Sequence, residues 1–346
     1  MFRSIWVAGG ASVLPISRWE TLVTGTNNAI WSLCVFNGVL YGCSGHHDFR
    51  ESRVSPGYSH SGGILYAWNG STSWIQKAPK LNSQAVNSLC VFNNHLYGCT
   101  GLDSDVWEHE DGRLFQWNES NAWVQVASSV GSTQEVYSLC VFNSNLYGGT
   151  IGDWPSGNGK LYQWNGSSAW TQVASGHNSQ YAITALCVFN NKLYGGTSDR
   201  GNLFEWNGSS AWITVADQLG SQERITSLCV FDNKLYGSTG LDEEYEMEHS
   251  EGILLQWNES DAWVGVAPQF GSQQVSSLCV FNNKLYGCTE HDPDGLNGGA
   301  LLEWNETNAW IQTAPKLIEN TICNICVFNN QIYGVTNKGT LLRAIP

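Results

Sequence analysis

Apolar residues in this chain arrive in short bursts separated by polar pairs, and the stretch from Ile183 to Ala216 shows the pattern most plainly. It reads ITALCVF, then Asn190 and Asn191, then KLYGGT, a spacer from Ser198 to Gly201, NLFEW, the turn Asn207-Gly208-Ser209-Ser210, and AWITVA. Asn tolerates the left-handed backbone that a tight hairpin requires. The pattern therefore predicts two hairpins in succession, a four-stranded antiparallel meander whose strands we letter A to D. Side chains alternate along a strand, so Leu186 and Val188 share one face of strand A while Cys187 and Phe189 share the other. Both faces are apolar, and both must be covered. The helical periods expected of a helical solenoid are not found.

The unit is written seven times. Aligned on the cysteine of the LCVF core, the copies fall at Cys34, Cys90, Cys140, Cys187, Cys229, Cys279 and Cys326. A period of roughly 40 to 50 residues marks a repeat architecture in which no unit buries its own apolar surface. Four-stranded sheets covered on both faces by their neighbours form the blades of a propeller. The last copy, NICVFNNQIYGVTNKGTLLRAIP, lacks a D strand, whereas Ser17 to Val23, SRWETLV, resembles the D strand AWVQVA. The expected fold is all-β: a seven-bladed β-propeller of four-stranded antiparallel blades, its ring closed by an N-terminal strand that completes the last blade. Such closure removes an open edge. We read one domain over 1–346, with an extension at 1–16, the closing strand at 17–23, and blades at 29–81, 85–127, 135–174, 181–216, 223–267, 274–315 and 321–346.

A hydrophobic strand, then NKLYGGT with paired glycines, then an aromatic strand and a Trp beyond a turn resembles the kelch-type repeat of β-propellers. Tyr147-Gly148-Gly149 and Tyr194-Gly195-Gly196 carry the double glycine, and the other units read YGC, YGS or YGV. The resemblance implies a binding platform more often than an enzyme.

Lys and Arg number 16 against 30 Asp and Glu, a net charge of -14 that argues against nucleic-acid and anionic-membrane surfaces. Cationic partners or metal ions fit better. Of the 17 Trp, all but Trp6, Trp31, Trp107 and Trp154 occupy repeated C-strand or D-strand positions, where large rings pack adjacent blades. Seven of the 11 Cys hold one strand-A position, as small buried apolar side chains do. Reduced thiols are expected; cross-hairpin disulfides of Cys34, Cys90 and Cys279 with Cys43, Cys99 and Cys288 are the alternative. Cys323 and Cys326 form C-x-x-C, but residues three apart on an extended strand face opposite sides, which defeats chelation. MFRSIWVAGGASVLPIS makes a poor leader and is too short to span a bilayer. A cytoplasmic or a surface- or virion-associated location is left open.

The units differ mainly in the B–C loop, and variable insertions on a constant scaffold are where function usually sits. These loops hold 18 of the 30 acids and six of the eight His. In blades 2 and 5, Asp103, Asp105, Glu108, His109 and Asp111, and Asp242, Glu244, Glu248 and His249, have the ligand chemistry for Ca²⁺ or Zn²⁺. Solvated acidic loops are the competing reading. Trp107, Trp154, Phe49, Tyr58 and Tyr245 set aromatic faces among these acids, an arrangement that suits sugar rings or a protein hot spot. Gln84, Gln134, Gln180, Gln222 and Gln273, with Asn320 in the sixth place, precede or open strand A near the channel mouth. They would bind a polar ligand there or hydrogen-bond between blades. On the opposite face Asn69, Asn118, Asn165, Asn207, Asn258 and Asn305 satisfy N-x-[ST]. Turn chemistry explains them as well as glycosylation does.

Nucleophile elbows, phosphate-binding loops and dinucleotide-binding glycines are not found. The expected function is a non-catalytic platform that recognises a glycan or a protein through its acidic, His- and aromatic-containing B–C loops. The alternatives are a structural or attachment subunit of a larger assembly and a metal-dependent propeller hydrolase or oxidase.

Overall fold

The computed structural model describes residues 14–26, 28–45, 62–81, 84–102, 112–130, 135–152, 159–176, 182–198, 200–217, 223–241, 252–268, 270–271, 273–290, 298–317 and 320–346. Every regular element among them is a strand. The first, β1 (Arg18–Val23), stands apart from the repeats. Blade 1 is β2 (Ile30–Phe36), β3 (Val39–Ser44), β4 (Leu65–Trp68) and β5 (Trp74–Ala78). Blade 2 is β6 (Gln84–Phe92), β7 (His95–Leu102), β8 (Leu114–Trp117) and β9 (Trp123–Ala127). Blade 3 is β10 (Glu135–Phe142), β11 (Asn145–Ile151), β12 (Leu161–Trp164) and β13 (Trp170–Ala174). Blade 4 is β14 (Ile183–Phe189), β15 (Lys192–Thr197), β16 (Leu203–Trp206) and β17 (Trp212–Ala216). Blade 5 is β18 (Glu223–Phe231), β19 (Lys234–Leu241), β20 (Leu254–Trp257) and β21 (Trp263–Ala267). Blade 6 is β22 (Val275–Phe281), β23 (Lys284–Thr289), β24 (Leu301–Trp304) and β25 (Trp310–Ala314). Blade 7 is β26 (Ile322–Phe328), β27 (Gln331–Thr336) and β28 (Leu341–Ile345), with β1 as its fourth strand.

The turns follow from their residues. Asn190 and Asn191 sit at φ 46 and 57, and the corresponding pairs in the other six blades also have positive φ at both positions. That is the two-residue turn whose twist matches the flanking strands. In the C–D turn of blade 4, Asn207 Oδ1 accepts hydrogen bonds from the backbone N–H groups of Ser209, Ser210 and Ala211 at 2.9, 2.9 and 3.1 Å. The same Asn-centred bonding recurs in the other five C–D turns, so turn geometry accounts for the residue at all six positions.

The ring closes as expected. Strand A of each blade contacts strand A of the next, from β2 through β6, β10, β14, β18, β22 and β26 back to β2. β1 pairs antiparallel with β28, Arg18 opposite Ile345 and Val23 opposite Leu341, and Ser17 N–H donates to the Ile345 carbonyl at 3.0 Å. Arg343 donates from Nε to Glu20 Oε2 at 2.9 Å across this pair.

The core lies in the seams, with one apolar cluster between each pair of adjacent blades. At six seams a Phe and a Tyr from one blade meet the C-strand Trp of the next. Between blades 1 and 2, Trp117 lies 6.2 Å from Phe36 at 80° and 5.1 Å from Tyr41. Each such ring stabilises by about 1.5–3 kcal/mol through burial alone. At the seam between blades 6 and 7, Ala344 takes the Trp position, and Ile16, Trp19 and Phe281 pack against that cluster. The glycine of each YG pair accommodates the D-strand Trp of its own blade. A Cβ on Gly195 would lie 3.1 Å from Trp212 Cη2, and one on Gly334 the same distance from Trp19 Cη2.

All 11 cysteines lie among the described residues, and none is in a disulfide. Cys34 is paired across the hairpin with Tyr41, while Cys43 reaches the Val86 carbonyl of blade 2 at 3.3 Å. Burial pushes Cys34 and Cys187 up to about 11 and Cys90, Cys140, Cys229 and Cys326 up to about 12, so these side chains are neutral thiols.

Candidate functional site

Antiparallel meanders place the A–B and C–D turns at one face of the ring and the B–C connections at the other. On the B–C face, one device repeats in every blade. Near the end of strand B stands Ser44, Thr100, Thr150, Thr197, Thr239, Thr289 or Thr336, each 0% exposed. Its hydroxyl accepts from a backbone N–H just before strand C: Ile64, Arg113, Lys160, Asn202, Ile253, Ala300 or Thr340, at 2.8–3.1 Å. The same Ser and Thr residues donate their own N–H to the carbonyls of Ile64, Arg113, Lys160, Asn202, Ile253, Ala300 and Thr340. This clamp closes the neck of the connection, whether it is the short Ser198–Asn202 or the long Gly45–Ile64. Among the described residues, the D-strand indole of the following blade adds a tie in three cases: Trp123, Trp263 and Trp74 donate to the carbonyls of Gly63, Gly201 and Gly339 at 3.1, 3.0 and 3.1 Å.

Gln84 and Gln273 are 2% and 1% exposed. The Gln273 amide donates to the carbonyls of Glu290 and Gly298, the latter at 3.0 Å, and so spans the base of the blade 6 connection. Burial at the loop base, and not display on its surface, describes both residues. Trp107, Trp154, Phe49, Tyr58, Tyr245, Gln134, Gln180 and Gln222 lie outside the described residues. So do Asp103, Asp105, Glu108, His109, Asp111, Asp242, Glu244, Glu248 and His249. Among the described residues no three His, Cys, Asp or Glu side chains come together as a metal site.

The turn face carries polar groups that the loop-centred reading passed over. In blade 4, Lys192 Nζ lies 2.8 Å from Glu205 Oε1, and the Tyr194 hydroxyl donates to Glu205 Oε2 at 2.9 Å. Blade 6 repeats this with Lys284, Glu303 and Tyr286, the Tyr hydroxyl donating at 2.8 Å. The same positions in blade 2 hold His95, Gln116 and Tyr97. There the ion pair is replaced by an open groove of about 500 Å³, shared with Gln163, Trp164 and Asn165 of blade 3. The signal was present in the sequence as HLY and FQW in blade 2 against KLY and FEW in blade 4.

No family model matches the chain, and no curated protein matches it. Solved structures do match. The extracellular domain of BT4673 from B. thetaiotaomicron aligns over 94% of this chain at 14% identity with a TM-score of 0.65, and this chain spans 40% of that one. YCF48 from Cyanidioschyzon merolae aligns over 95% of this chain and 99% of its own at 10% identity and a TM-score of 0.63. A catalytically inactive virginiamycin B lyase from Staphylococcus aureus, solved with quinupristin, covers the same shares at 8% identity and a TM-score of 0.66. At these identities the likeness is one of fold. The class is that of a seven-bladed β-propeller.

Proposed function

We propose that this propeller is a non-catalytic binding platform whose unequal B–C loops recognise a glycan or a protein. The observation that carries this reading is the clamp at the base of every loop. Seven equivalent hydroxyls hold seven necks in one geometry, while the residues between the necks differ in length and chemistry. Constant supports under variable segments are the arrangement of a recognition surface. The kelch-like order of the repeat and the shared fold with the extracellular domain of BT4673 support the same role. Trp107, Trp154, Tyr58 and Tyr245 are the contacts proposed for the ligand. The acids and His of blades 2 and 5 are the ligands proposed for Ca²⁺ or Zn²⁺.

A glycan array tests this. Binding that is lost in Trp107→Ala or Trp154→Ala supports a lectin on the loop face. A blank array together with concentration-dependent self-association replaces it with a second reading, a subunit of a larger assembly. That second reading draws on the outer rim, where Ile75, Val124, Ile213, Val264 and Ile311 are 46–50% exposed on edge strands.

A further inference from the structure

We infer that the groove between blades 2 and 3 on the turn face is a second binding site, for a neutral sugar unit. It lies at the opposite end of the strands from the B–C loops and is independent of them.

Comparison of equivalent blades carries the argument. In blades 4 and 6 the Tyr hydroxyl and the carboxylate beside it satisfy each other, with a Lys completing the cap. In blade 2 those partners are gone. Tyr97 lines the groove, and its hydroxyl opens onto it with no carboxylate opposite. The half-buried amides of Gln116 and Gln163 line the same groove. His95 borders it, its Nδ1 3.3 Å from Glu119 Oε1, which leaves Nε2 for another contact.

The chemistry of the lining sets the ligand class. No Lys, Arg, Asp or Glu lines the groove, and the neighbouring Glu119 carboxylate is engaged by His95 at its border, so the lining itself is neutral and polar. Two primary amides and a phenol donate and accept in equal measure, which matches hydroxyl groups that do the same. Trp164, packed against Phe92 and Tyr97 at 6.1 and 5.2 Å, provides an apolar wall for C–H groups. A volume of about 500 Å³ falls within the usual span of small-ligand sites, about 300–1,000 Å³.

Blades 4 and 6 also supply the control. His95→Lys with Gln116→Glu writes the blade 4 cap into blade 2, and it fills the groove with an ion pair the fold already tolerates twice. Saturation-transfer NMR on the full chain would use galactose, glucose, mannose and N-acetylglucosamine at millimolar concentration. At least one sugar should bind, and the double variant should weaken it about tenfold or more, the loss of one to two hydrogen bonds, with unchanged melting. If the double variant unfolds, Gln163→Ala removes one amide alone and should also weaken binding. With the bound sugar, hydrogen exchange should slow at residues 95–97, 116 and 163. No binding by any of the four sugars, undiminished binding in the folded variants, or protection confined to the B–C loops would each overturn the inference. Capture of triglycine in place of every sugar would do the same, by making the groove a peptide site.

Discussion

Trp19 and Gly334 lie at opposite ends of the chain and are packed together: the indole Cη2 occupies the space 3.1 Å from where a Cβ on Gly334 would stand. The same relation joins Trp74 to Gly42 and Trp310 to Gly287, within single continuous blades. The closing strand therefore docks as an ordinary D strand does, with the same ring against the same glycine.

Adding the missing methyl group tests that contact. Gly334→Ala should destabilise by about 1–3 kcal/mol, the usual cost of overpacking. In a Trp19→Leu background, itself destabilised by about 3 kcal/mol or less, the added cost should shrink because the ring it strikes is gone. Equal costs in both backgrounds, measured by urea unfolding, would mean that the strand docks otherwise.

The loop clamps make a second case. Thr289→Val preserves shape but strands the Ala300 N–H, which now bonds to the hydroxyl at 2.8 Å. An unsatisfied buried donor costs about 1–3 kcal/mol. Thr289→Ser should restore most of the melting temperature, and failure to do so would assign the loss to packing.

Turn chemistry is separable from any modification of the turn. Asn258 Oδ1 accepts from the N–H groups of Ser260, Asp261 and Ala262 at 2.9–3.1 Å. Asn258→Ala should cost about 1 kcal/mol, whereas Asn258→Asp keeps the acceptor and should cost less. Both variants remove the N-x-[ST] site, so a difference between them reports on the turn alone.

The strand-A thiols predict a pH dependence. Burial raises Cys34 to about 11 and Cys140 to about 12, against about 8.5 for an unfolded thiol. The unfolded chain thus sheds these protons first. Their contribution is complete below about pH 8.5 and is lost as the pH rises towards 11 to 12. Stability should fall with pH in this alkaline window, and Cys34→Ala with Cys140→Ala should flatten the slope relative to the parent. An unchanged slope would place the effect on other groups. Native protein should also react slowly with thiol reagents near neutral pH, because the thiolate is the nucleophile.

The repeats, the meander and the closing strand were legible because each rests on a pattern that survives in one dimension: the cysteine spacing, the Asn-Asn and Asn-Gly turns, and the likeness of SRWETLV to AWVQVA. Other features were not. Every strand A carries a bulge, as between Ile183 and Ala185, and a strict period of two does not reveal it. The bulge residue Thr184 bonds the Ile225 carbonyl of the next blade, stitching a seam that the pattern left blank. The clamp residues read as ordinary strand Ser and Thr until their partners across the loop are known. The groove is not legible in one dimension because Tyr97 and Trp164 belong to different blades and meet only when the ring closes.

That closure also has a mechanical meaning. Because β1 and β28 run antiparallel with Arg18 opposite Ile345, both chain ends leave the ring at the same corner. A load applied between them would peel the pair apart one rung at a time, starting at Arg18 and Ile345, and never shear all its bonds together. A tether to a neighbour at both ends would thus find the disc weakest at its fastening, and one end alone is the safer handle.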